Sequence, residues 1–110
     1  MKITAMTMTQ VMKALDAFTN MLRINYGAMN VNEPKLIQNE RDLISTWNVK
    51  NNSVIDTIMV AFEDDGYVCL KINGGQTTYG DLKVKHDKCE NFIQKMQYAS
   101  YLEWFDTYCE

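Results

Sequence analysis

Between Met8 and Tyr26 the apolar residues Met8, Val11, Met12, Leu15, Phe18, Leu22 and Tyr26 return at steps of three and four, the spacing that gathers them on one stripe of an α-helix. Thr7 with Gln10 forms a capping-box pair, and Met6 with Val11 sits where a hydrophobic staple would sit, so the helix is expected to start near Thr7. Gly27 is placed to cap its C-terminus in a left-handed conformation, and Pro34 forbids a return to helix soon after. Gln10, Lys13, Asp16, Asn20 and Arg23 fall on the other face with mixed charge, as on a solvated surface.

After a loop from Ala28 to about Asn39 the period changes. Leu43, Ser45, Trp47 and Val49 alternate through the segment Leu43 to Val49, which predicts a half-buried strand. A polar turn at Asn51, Asn52 and Ser53 leads into Val54 to Phe62, the densest β-favouring stretch of the chain and therefore the expected central strand. Glu63, Asp64, Asp65 and Gly66 read as a hairpin loop, with Tyr67 to Ile72 returning as partner strand. Asn73, Gly74 and Gly75 make a second tight turn, after which Thr77 to Tyr79 and Leu82 to Val84 are expected to supply a fourth strand broken near Gly80.

The last quarter returns to helical spacing, with Asp87 and Glu90 as a capping-box pair and Cys89, Phe92, Ile93 and Met96 on one face. That face would next carry Ala99, Ser100 and Glu103, while Tyr98, Tyr101, Leu102, Phe105 and Tyr108 lie on the far side, so the apolar stripe changes sides. Either Ser100 and Glu103 start a new helix after a break near Ala99, or one continuous helix projects its second half past the sheet toward another chain. On both readings Trp104 and several tyrosines are expected near the surface.

Together these elements predict a single two-layer α+β domain over residues 1–110, with an N-terminal helix, a three- to four-stranded antiparallel meander and a C-terminal helix or helix pair. The order α-β-β-β-(β)-α is shared with double-stranded-RNA-binding modules. Only the order is shared, because the lysines such modules place at the start of the final helix are here Asp87, Lys88, Cys89 and Glu90.

Charge narrows the partners. Eleven basic against fourteen acidic residues give a net charge of −3, without the basic footprint that a phosphate backbone rewards, so direct nucleic-acid binding is not expected. The longest apolar run, Ile58 to Phe62, is far below the roughly 20 residues needed to cross a bilayer. Threonines interrupt the N-terminal segment where a signal peptide would be apolar, which predicts a cytoplasmic protein. Cys69, Cys89 and Cys109 are odd in number, which suits reduced thiols better than a disulfide framework.

Candidate chemistry is sparse. His86 and Cys89 with Cys69 and Cys109 could in principle ligate zinc, but they lack the two close pairs of a structural site. His86 has no neighbour obviously placed to orient it as base to a thiol. Asp64 and Asp65 read as turn residues and Gly74-Gly75 as a turn rather than a phosphate loop. No cofactor is expected and no enzymatic activity. The expectation is a protein-binding module, an inhibitor or adaptor carried by a phage or other mobile element. It would engage a host protein with a basic, nucleic-acid-facing groove through the acids Glu63, Asp64 and Asp65 and the aromatics Tyr101, Trp104, Phe105 and Tyr108. The alternatives are a dimeric chaperone-like protein holding an extended client, and a small-ligand sensor or enzyme.

Overall fold

Thr7 caps helix α1 (Met8–Tyr26): its hydroxyl accepts the Gln10 N–H at 3.2 Å while the Gln10 side chain accepts the Thr7 N–H at 2.8 Å. The chain is described from a computed structural model over residues 7–39, 42–63 and 67–109; the staple partner Met6 lies outside them. Gly27 ends α1 at φ 93° and ψ 135°, a positive-φ conformation away from the left-handed helical basin, and its N–H donates to the Arg23 carbonyl at 2.9 Å. The inner stripe is Val11, Ala14, Leu15, Phe18, Thr19 and Leu22. Met8, placed on that stripe by its spacing, is exposed.

A one-turn 3-10 helix at Ala28–Asn30 is followed by five strands, β1 (Lys35–Asn39), β2 (Asp42–Asn51), β3 (Val54–Phe62), β4 (Val68–Ile72) and β5 (Gly75–Thr77). They pair in chain order, all antiparallel, so β3 is central as its composition predicts. Register sets opposite one another the residues that face the helices: Trp47 against Ile58, and Val60 against Leu70. The β4–β5 turn places Asn73 at φ 53° and Gly74 at φ 82°, two successive positive angles that an Asn-Gly hairpin loop supplies with little strain.

Two corrections raise the strand count to five. The stretch assigned to loop contains β1, an edge strand whose five residues are all exposed and which therefore shows no alternation between buried and polar positions. Beyond β4, only Gly75–Thr77 is strand, and Tyr79–Lys88, expected to complete a broken fourth strand, is helix α2. A capping box decides it: the Thr78 hydroxyl accepts the Asp81 N–H at 3.1 Å and the Asp81 carboxylate accepts the Thr78 N–H at 3.1 Å. Those hydrogen bonds hold the Asp81 carboxyl below its usual range. Removing the cap with Thr78→Ala should reduce stability by about 1 kcal/mol, read from urea denaturation, whereas an unchanged midpoint would show that α2 does not depend on it.

The chain closes with helix α3 (Phe92–Tyr108). The three helices share one face of the sheet, and the core is drawn from that face alone: Phe18 and Leu22 from α1, Trp47, Ile58, Val60 and Leu70 from the strands, Leu82 from α2, and Tyr101, Leu102, Trp104 and Phe105 from α3. A buried polar relay fastens the two layers, in which the Trp47 indole N–H donates to the Thr19 hydroxyl at 2.9 Å, which donates to the Leu15 carbonyl at 3.0 Å. This accounts for a threonine at a fully inward position of α1. On the opposite sheet face, register aligns Ile37, Ile44, Ala61 and Cys69 in one row across four strands. Among the described residues no helix is long and apolar enough to cross a membrane.

Candidate docking surface

Asn91, not the Asp87–Glu90 pair, starts α3: its side-chain oxygen accepts the Gln94 N–H at 2.9 Å. Asp87 belongs to the last turn of α2, where its carboxylate takes the His86 Nδ1 at 3.0 Å and is held below the usual carboxylate range chiefly by that contact. From Phe92 the helix runs unbroken to Tyr108, which decides between the two readings of this segment for one continuous helix and against a break near Ala99. Ser100 caps nothing. Its hydroxyl hydrogen-bonds to the Met96 carbonyl one turn back at 2.9 Å and to the Asn25 side chain at 3.3 Å, a pattern that leaves the helical backbone intact.

The far side of α3, expected near the surface, is the inside. Tyr101 is 2% exposed, Trp104 4% and Phe105 2%, with Leu102 buried and Tyr108 half-buried beside them. The Trp104 indole N–H donates to the Ala14 carbonyl of α1 at 2.8 Å. Its ring meets Phe18 edge-on at 5.0 Å and Phe105 at 5.2 Å, and lies 5.8 Å from Tyr108, separations at which aromatic pairs attract. The surface position expected for Tyr101, Trp104 and Phe105 is thus corrected: these side chains are occupied within their own chain. The acid Asp106 acts locally as well, since polar interaction with its carboxylate is the main cause that raises the Tyr79 hydroxyl in pKa.

The face expected to be buried is the exposed one. Phe92 is 75% exposed, Ile93 69% and Met96 55%, three large apolar side chains at i, i+1 and i+4 of a well-formed helix. One turn further along, Ser100, Glu103 and Thr107 form one wall of an open groove of about 440 Å³, and Ala17, Met21 and Ile24 of α1 form the other. Ile24 is 83% exposed. From Phe92 to Thr107 this surface runs for about 24 Å at the helical rise, apolar at its start and mixed along its α1 wall, where Asn20 and Asn25 stand among Ala17, Met21 and Ile24. The spacing of Phe92, Ile93 and Met96 marked a face, and the polar Ser100 and Glu103 that continue it were the signal that it points outward.

The remaining predicted residues are scattered. Glu63 follows β3, half-buried, its N–H donating to the Tyr67 carbonyl at 2.9 Å; Asp64 and Asp65 lie outside the described residues. Cys69, Cys89 and Cys109 are free thiols, each half-buried. The Cys89 thiol points to the Asn91 carbonyl at 3.4 Å. Among the described residues no three or more His, Cys, Asp or Glu side chains are grouped to hold a metal ion.

Burial pushes the Cys109 thiol from its ordinary 9.0 up to about 11. A group whose folded pKa is raised keeps its full contribution below the unfolded value and loses it as pH climbs toward the folded one. Stability should therefore fall between about pH 9 and 11, and Cys109→Ala should flatten that decline; an unchanged alkaline slope in the variant would show that the thiol is not the group responsible. Comparison of the chain with protein-family models, curated proteins and solved structures finds no match.

Proposed function

We propose that this chain is a non-enzymatic protein-binding module, an inhibitor or adaptor, that docks an amphipathic helix of a host protein along the outer face of α3. The observation that carries the reading is the exposure of Phe92, Ile93 and Met96 on one helical face, one helical turn before Ser100, where the groove between α3 and α1 begins. Exposed large apolar groups gathered on one face mark interaction sites rather than solvated surface. A helix laid beside α3 would present apolar residues at i, i+3, i+4 and i+7, seating the first against Phe92 to Met96 and the later ones over Met21 and Ile24. The test is capture of a stoichiometric partner by the wild-type chain and its loss from a variant with serine at Phe92, Ile93 and Met96. In this proposal the acids around Glu63 steer encounter with a basic partner surface, a role read from the salt dependence of the association rate.

A second reading is favoured by the in-register row Ile37, Ile44, Ala61 and Cys69 on the helix-free sheet face: two copies pair through it into a dimer of chaperone-like type. Sedimentation of the wild type against Ile37→Lys and Ile44→Lys variants separates this from the first reading, because only the dimer loses mass in those variants.

A further inference from the structure

Between the end of α1, the β3–β5 side of the sheet and the first half of α3 lies a cavity of about 360 Å³, within the size range of small-ligand sites. Ile58 and Ile72 give it an apolar floor, and Tyr26, Tyr98 and Tyr101 form an aromatic wall. Tyr101 is 2% exposed and its hydroxyl is buried without a hydrogen-bond partner. The Tyr26 hydroxyl is close enough to act on it electrostatically, but no hydrogen bond of formed geometry joins the two. A buried hydroxyl left in this state is uncommon.

The polar groups around the cavity are also partly unused. Gln97 donates its amide nitrogen to the Asn25 carbonyl at 3.4 Å, and the Gln94 carboxamide oxygen receives only the Cys89 thiol at 3.6 Å. Each therefore keeps one half of its carboxamide for another partner. Asp56 is already engaged, accepting from Asn73 at 3.0 Å and Asn51 at 3.3 Å.

From this arrangement we infer that the cavity is a binding site for a small, neutral, hydroxyl-rich ligand of monosaccharide size. Sugar hydroxyls donate and accept at once, which suits phenols and carboxamides that also do both. The C–H faces of such a ring match Ile58, Ile72 and the tyrosine rings. One carboxylate, Asp56, and one ammonium, Lys85, stand in the wall, so the site offers no net charge to hold an anion, and a phosphate would meet the Asp56 carboxylate. This site is separate from the outer face of α3 and does not depend on it.

Saturation-transfer NMR and thermal-shift titrations with D-glucose, D-galactose, D-mannose, D-ribose and myo-inositol test the inference, using the wild-type chain and the variants Tyr101→Phe and Gln97→Ala. At least one of these ligands should bind the wild type saturably with a dissociation constant on the order of 1 mM or tighter. Tyr101→Phe should weaken that binding about tenfold while leaving the unliganded melting temperature unchanged or higher, because it removes a hydroxyl that makes no hydrogen bond in the empty protein. Gln97→Ala should weaken the same ligand. Absence of saturable binding by all five, binding of adenosine or inorganic phosphate instead, or equal affinity in wild type and Tyr101→Phe would each overturn the inference.

Discussion

Replacing Trp104 by alanine is expected to lower the free energy of unfolding by about 3–5 kcal/mol, the usual loss for deleting a large buried aromatic side chain. Trp104 is 4% exposed, donates its indole N–H to Ala14 and touches Phe18 and Phe105 at the junction of α1 and α3. The variant would leave a hole at that junction, and neighbours such as Phe18, itself packed at a tilt against Trp47 with ring centroids 4.7 Å apart, can fill it only partly. Against a total stability of roughly 5–15 kcal/mol for a domain of this size, such a loss would leave a marginal fold. Phe92→Ala, three turns earlier on the same helix, should change stability by no more than about 0.5 kcal/mol, because its side chain is mostly in solvent. Urea denaturation of the two variants side by side reads the difference. Comparable losses at both positions would show that the two faces of α3 are not divided as described.

The elements that announce themselves to a reader of the sequence are those with one buried face and a local start signal. Helix α1 has both, in the stripe from Val11 to Leu22 and in the Thr7–Gln10 capping box, and its bounds were legible to the residue. Strand β2 was legible from the alternation of Ser45, Trp47 and Val49, all buried on one side, and β3 from its composition. Strand β1 was not, because an edge strand held by backbone hydrogen bonds to β2 needs no apolar alternation, and its side chains are exposed on both faces. In α2 the short runs around Leu82 and Val84 looked β-like, while the Thr78–Asp81 cap that makes them helical was overlooked; only Leu82 of that helix is fully buried, so it has little stripe to show.

Helix α3 carries the most instructive misreading. Its apolar residues lie on two faces, Phe92 to Met96 on one and Tyr98 to Tyr108 on the other, and hydrophobic spacing reports a face without saying whether it points inward. The longer face, supported by the indole hydrogen bond to Ala14 and by the Tyr79–Phe105 ring contact at 6.3 Å, went to the core, and the shorter face was left outside. The aromatics expected as contact residues lie on the buried side of the helix. The cavity beside Tyr101 could not be found from the sequence, because Tyr26, Asp56, Gln76 and Gln97 are far apart in the chain and share no motif.

The proposed function rests on the outer face of α3, and a single comparison addresses it. The wild-type chain and a variant carrying Phe92→Ser, Ile93→Ser and Met96→Ser are used for affinity capture from a lysate of the source cells, and the protein retained by the wild type is then titrated into each by calorimetry. The variant should keep its melting temperature to within a few degrees, since none of the three side chains is buried. It should also bind the captured partner at least about a hundredfold more weakly, as truncation of central apolar anchors does at protein interfaces. A variant that folds and binds that partner with the affinity of the wild type would refute the docking role of this face.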